Sequence, residues 1–454
     1  MKLLNHCYTF FLYVLLGYVA NAEPSPSTVA YFVTNGSCCG GEESDPHAVF
    51  GIESSDGYIL LGKSLDESGN ENGFAVKMSK ELPNKKLFLH PEENRSYEWS
   101  IVVGEPQRRD GFNSAAIIGN DVFIAGFKES KEGIIDRHLV KVRLSDGKVI
   151  WKQSYSSEKN KSSSAFESVI VTSSGGILLT GVKNAEYEEI EGFKSYGNPS
   201  GGNAFSMYFS LNKISSKVPP KTPDWESNYK NFVSGKSVKE IGNTGGFIIA
   251  TSTPEPMIAA VIRVNKNGGI LWDRKYPKHG EITDIAVSKD GFFMSGHGGD
   301  WENGYDGSIT KISDTGEILW NKTIGNPIGG ENKFSGLDRG NKKLIFDECW
   351  GITITDGSDA IIACGTGIEG CDELEGNIRN QCEEDPRTTW RSYLVRIDTK
   401  GEILWEKVGS FTFPGEENAE DVPSTASEWV FVNRDGQIAS VVDLAFGIGL
   451  ELIN

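Results

Sequence analysis

Four stretches of this sequence lie over one another without a gap: LVKVRLSDGKVIW (139–151), AVIRVNKNGGILW (260–272), SITKISDTGEILW (308–320) and YLVRIDTKGEILW (393–405). In each, apolar and polar residues alternate up to a Gly/Asp/Asn/Ser turn, then alternate again to a tryptophan. Period-two alternation on both sides of a short polar turn predicts a β-hairpin. The glycine supplies the positive φ that such turns need. Looser copies end at Trp99 (SYEWSIVVG) and Trp225 (PDWESNYK), so six of the ten tryptophans mark one place in a repeated unit. One aromatic per unit suits the space between stacked sheets.

A second hairpin precedes each of these, as in VFGIESSDGYILLG (49–62), SVIVTSSGGILLTG (168–181), DIAVSKDGFFMSG (284–296) and WVFVNRDGQIASVV (429–442), with less regular versions at 115–126, 239–251 and 351–365. Seven first hairpins and six complete second hairpins make units of four short antiparallel strands, the pattern of a β-propeller blade. The last unit has one strand too few after Leu444, and TVAYFVT (28–34) has no hairpin partner of its own. Placed as the outermost strand of the last blade, it closes the ring and removes an exposed edge. The expectation is all-β: a single seven-bladed propeller over residues 23–454, with six or eight blades as the alternatives.

Composition agrees. Glycine is 53 of 454 residues, which favours strands and tight turns, and 63 acidic against 45 basic side chains give a net charge of −18. That balance argues against nucleic acid or an anionic membrane surface as partner. Residues 1–22 read as a secretory signal: Lys2, a ten-residue apolar run (FFLYVLLGYV, 10–19) and a small-x-small site at Ala20-Asn21-Ala22. Ten apolar residues are too few to span a membrane, which needs ~20. Six cysteines remain beyond the leader, namely Cys38, Cys39, Cys349, Cys364, Cys371 and Cys382. An even number in an exported chain predicts disulfides; 15 pairings are open, with Cys371–Cys382 the expected loop clip. No C-x-x-C spacing suggests zinc. Sequons at Asn35, Asn94, Asn160 and Asn321 are glycosylation candidates.

Loop lengths point to a face. Turns between first and second strands, which share a face with those between third and fourth, are mostly short. Most insertions fall between second and third strands (183–203, 297–306, 366–390) or between blades (323–343, 406–426), on the opposite face. Long loops on a rigid scaffold are where binding concentrates. Around that mouth the reading gathers His47, His279, Asp284, His297, Trp301, Tyr305, Asp306 and Trp390, with Glu167, Glu240, Glu348 and Glu428 near the starts of innermost strands. Aromatic rings stack on sugar faces and carboxylates accept hydroxyl hydrogens, so a glycan fits. No cofactor is expected, and calcium is the metal that clustered carboxylates would take.

Three motif matches fail on context. Gly57–Ser64 matches a P-loop, but its interior Tyr-Ile-Leu-Leu is a strand with no helix after it. Gly365-Thr-Gly367-Ile-Glu-Gly370 matches a dinucleotide fingerprint but leads into CDELEGN, which builds no amphipathic helix. Asp300–Gly307 begins like a calcium loop, yet Lys311 stands where the bidentate glutamate belongs.

The pattern x-V-x-K/R-I/V-x-x-x-G-x-I-x-W, over roughly residues 47–450, resembles secreted proteins with SBBP-type β-propeller repeats and, more distantly, PQQ-type quinoprotein repeats. The first resemblance implies an extracellular binding or adhesive propeller. The second implies a PQQ–calcium alcohol or sugar dehydrogenase, and Cys38-Cys39 is similar to the adjacent cysteines of some such enzymes. The chain departs from the quinoprotein repeat at Lys141, Arg263, Lys311 and Arg396, where a small alanine is usual. Two functions follow. One is a secreted scaffold binding a glycan or protein through the long-loop face. The alternative is a secreted enzyme at the channel mouth, either polysaccharide-cleaving or a metal- or quinone-dependent oxidoreductase.

Overall fold

The computed structural model describes residues 26–33, 47–65, 71–82, 87–89, 97–105, 108–156, 162–186, 200–242, 246–254, 258–300, 304–325, 345–368, 391–408, 425–444 and 447–454. They form seven antiparallel sheets, arranged as the blades of a propeller. Blade one runs His47–Glu53, Gly57–Leu65, Glu71–Ser79 and Tyr97–Val103 from the channel outwards. Blades two to six begin at Asp110, Ser163, Gly235, Glu281 and Ile345 and follow the same order. Blade seven is Thr425–Val432, Ile438–Leu444 and Gly447–Ile453, completed by Pro26–Val33 from the other end of the chain. The seven-bladed count and the closing strand are therefore as the repeats predict.

One strand was not anticipated. Leu87–Leu89, inside the long third-to-fourth connection of blade one, pairs in parallel with Pro26–Val33 as a fifth strand on blade seven. Closure is thus doubled, because blade one reaches over and holds the strand that completes blade seven. The corresponding connection in blade three carries a one-turn helix, Leu211–Ile214.

The repeated tryptophan and glycine meet across blades. Trp99 donates its indole N–H to the Leu144 carbonyl of the next blade at 2.8 Å, and Trp320 does the same to Thr399 at 3.0 Å. Each ring lies on the turn glycine of that next blade, Gly147 and Gly401, whose φ values are +69° and +87°. A Cβ there would stand 2.8–3.0 Å from ring atoms, so the glycine is needed for its conformation and for its missing side chain. Trp225 and Trp272 cover Gly268 and Gly316 in the same way. The G-x-I-x-W motif is thus the two halves of one interface, read in adjacent blades.

Candidate functional site

All seven innermost strands carry a β-bulge at the same level. The residues passed over in the pairing are Val49, Asn113, Glu167, Lys236, Thr283, Trp350 and Glu428. An extra residue twists a strand and re-aims its side chains, here around the channel. Several then bond the next blade: Asn113 donates to the Phe166 carbonyl at 2.7 Å and Thr283 to that of Cys349 at 2.8 Å. The following position repeats the arrangement. Ser114 accepts the Val169 N–H at 3.2 Å, Ser168 the Val238 N–H at 3.4 Å, and Asp284 the Ile352 N–H at 3.1 Å.

Asp284 is thereby explained. It is fully buried, and its carboxylate also accepts from Ser237 Oγ and the Ile285 N–H and pairs with Lys239 at 3.1 Å. A carboxylate with both oxygens engaged braces blades four, five and six. Glu240 does not stand at a strand start. It is the last residue of Gly235–Glu240, and it accepts the Ser173 N–H and hydroxyl of blade three at 2.6 and 2.7 Å on the short-turn face. Glu167, Glu348 and Glu428 fall within their strands, at or beside the bulges.

Blade five does bring predicted residues together. Within the 297–306 stretch, read as a loop, residues 297–300 and 304–306 instead extend the two strands of the hairpin, with His297 opposite Gly307, Gly298 opposite Asp306 and Gly299 opposite Tyr305. His297 meets Tyr305 edge-to-face at 5.6 Å, and Tyr305 meets Phe346 of blade six at 5.3 Å. His297 Nε2 lies 3.8 Å from Glu281, which also faces Lys236 at 3.8 Å. Burial lowers the His297 pKa against the opposing pull of Glu281. Burial also draws the Lys236 ammonium down, but the Glu167 and Glu281 carboxylates outweigh it and leave its pKa raised. His279 is sealed in the interior, with Nδ1 2.8 Å from Thr310 Oγ1 and 3.1 Å from Ser308 Oγ, and burial lowers its pKa to about 4. The His47 side chain, Trp301, Trp390, the leader, Cys38, Cys39, Cys371, Cys382, Asn35, Asn94 and Asn160 lie outside the described residues. Asn321 is exposed on the outer strand of blade five.

Of the six candidate cysteines two lie among the described residues, and the expected Cys371–Cys382 clip lies outside them. Cys349 and Cys364 face each other in the register of blade six and form a disulfide. Among the described residues no three His, Cys, Asp or Glu side chains gather as metal ligands, and Asp284 is occupied as above. A quinone–calcium centre finds no donor set in them.

The sequence points to the channel mouth on the long-loop face, but not to the cavity on the opposite side of the channel. From the bulge level to the short-turn face runs a cavity of about 570 Å³. Phe50 and Trp429, with ring centroids 4.7 Å apart, form its aromatic waist together with Lys239, whose ammonium sits 5.0 Å from the Trp429 ring. Ile52, Ile117, Val169 and Ile170 line its walls, and Glu53, Ser55, Gly119 and Arg434 stand at its mouth. The only signal was an aromatic at positions 50 and 429, where the other five first hairpins carry Ser114, Ser168, Ser237, Asp284 and Gly351.

The fold and its channel define a seven-bladed β-propeller. No family model matches the sequence, and no curated protein matches it. Among solved structures the chain is similar to Kuenenia stuttgartiensis hydrazine synthase, at 10% identity over 90% of this chain and 95% of that one, with a TM-score of 0.49. It is also similar to quinohemoprotein alcohol dehydrogenase from Comamonas testosteroni, at 9% identity over 94% and 76%, TM-score 0.44. A third is the WD40 domain of SCAP from fission yeast, at 10% identity over 93% and 98%, TM-score 0.41. Likeness at this level says nothing of what the present chain binds or turns over.

Proposed function

We propose that the protein is a secreted binding scaffold that takes a glycan or protein ligand on the long-loop face. The observation that supports this reading is Tyr305, a partly exposed ring held edge-to-face between the buried His297 and the buried Phe346 of blade six, beside Glu281 and Lys236. Aromatic surfaces next to fixed charges suit a sugar ring or a protein side chain. The hairpin beneath holds them rigidly, which lowers the ordering cost of binding. Secretion rests on the leader-like residues 1–22.

Two measurements test this. N-terminal sequencing of the chain recovered from medium is expected to begin at Glu23. On a glycan array, or against an extracellular protein ligand, Tyr305→Ala is expected to weaken the best binder about tenfold with an unchanged circular dichroism spectrum. A blank array together with turnover abolished by His297→Ala alone would replace the scaffold by the enzyme alternative. So would a calcium or quinone mass that native mass spectrometry detects and denaturation removes.

A further inference from the structure

The channel cavity lies on the other face and belongs to none of these readings. Its volume falls within the ~300–1,000 Å³ of small-molecule sites. What distinguishes it is the separation of its chemistry. The walls are aliphatic, and the polar groups of the inner end are donors. Lys239 points one N–H at the fully buried Asp284, while its own side chain is 25% exposed into the cavity that it lines. Ser114 and Ser168 each accept a backbone N–H from the next blade and so keep their hydroxyl protons to give. The one carboxylate of the lining, Glu53, stands at the mouth and is engaged by the Arg434 N–H at 2.8 Å, with Lys80 at 3.7 Å. An inner end with a cation, two hydroxyls free to donate and, among the described residues that line it, no carboxylate favours an anion. Walls without hydrogen-bonding groups select an apolar body behind it.

We propose that the lower channel binds a small amphipathic carboxylate, its carboxylate at Lys239, Ser114 and Ser168 and its hydrocarbon part along Phe50, Ile117 and Ile170 towards the mouth. A sugar is disfavoured here, because its hydroxyls would face aliphatic walls and lose their water without replacement.

Calorimetric titration of the full chain with octanoate and 4-phenylbutyrate tests the proposal. Saturable 1:1 binding is expected, with 1-octanol and octylamine at least tenfold weaker. Lys239→Met should weaken octanoate at least tenfold while leaving the weak binding of octanol unchanged, and Ile117→Trp, which fills the cavity, should abolish both. Because Lys239 also pairs with Asp284, the site is read in the unaltered chain as well. A diazirine analogue of octanoate should label peptides containing Phe50, Ile117 or Trp429. No saturable binding of either acid, equal affinity for octylamine, or labelling confined to other blades would overturn the proposal.

Discussion

Lys77, Lys141 and Lys311 occupy one register position on the third strand of three blades, and each ion-pairs with an aspartate of the first hairpin turn. The partners are Asp56 at 2.7 Å, Asp121 at 2.8 Å and Asp290 at 2.7 Å. Their stems are buried, and the ammonium groups of Lys141 and Lys311 lie 5.4 and 5.0 Å from the rings of Phe123 and Phe293. Alternation alone marks these lysines as polar positions of a strand. It cannot show that both faces of a blade are covered, so their burial was not legible. The Asp partners remain half exposed, so hydration replaces much of a lost pair. Lys77→Met is therefore expected to cost only about 1 kcal/mol in urea unfolding, whereas Lys77→Ala, which empties the buried volume, costs about 3 kcal/mol. Titration gives a further check. Hydrogen bonds from Lys77 and Lys311 lower the pKa values of Asp56 and Asp290, so their stabilisation is full above the ordinary carboxylate range and lost as pH falls through the lowered folded values. Burial lowers His138 to about 3 and His279 to about 4, and their effect appears at higher pH. Below about pH 6.5 the unfolded chain takes up protons that the folded chain refuses, so stability falls from there towards pH 4. Thermal melts at pH 7.5, 6 and 4.5 should show this decline, with a shallower slope in a His138→Gln, His279→Gln variant.

At the scale of the element, hairpins and turns were readable because each is local, while the bulges were not. One extra residue in a strand leaves apolar content unchanged and displays itself only through the partner it skips. The same blindness affected the disulfide. The alternating pattern of the first hairpin of blade six is visible only from Gly351 onwards, and so Cys349 falls outside it, although its strand starts at Ile345. Once the register is known, Cys349 stands opposite Cys364. The bridge closes a 15-residue separation, for which loop-closure entropy gives about 3 kcal/mol. Cys364→Ser is expected to lower unfolding free energy by up to that amount. In the native protein, both sulfurs should resist reduction and alkylation until the chain is unfolded, because both residues are fully buried. Mass spectrometry of alkylated peptides reads this directly. The long-loop site is half legible for a related reason: His297 and Tyr305 stand out by residue type, but the glycine-rich strand ends that align them carry no apolar alternation.

For the whole molecule, seven units and a closing strand were legible, because repetition makes a missing strand countable. The clasp by Leu87–Leu89 was not, since three residues in a long connection carry no periodicity. Removing residues 1–33 should leave the edge of Gly447–Ile453 bare and deprive Leu87–Leu89 of its partner. A lower melting temperature and concentration-dependent dimers by light scattering are the expected results. Loss of the strand without either change would mean that the ring is held by blade-to-blade packing alone.

The clasp also gives the ring a direction of mechanical weakness. Pro26 lies opposite Ile453 in an antiparallel pair, so tension between these two ends opens the ladder one rung at a time, like a zip. Tension between residue 26 and the far end of Leu87–Leu89 instead loads parallel rungs together, in shear. A tether attached at the amino end would thus release easily against the carboxyl end and hold firmly against blade one.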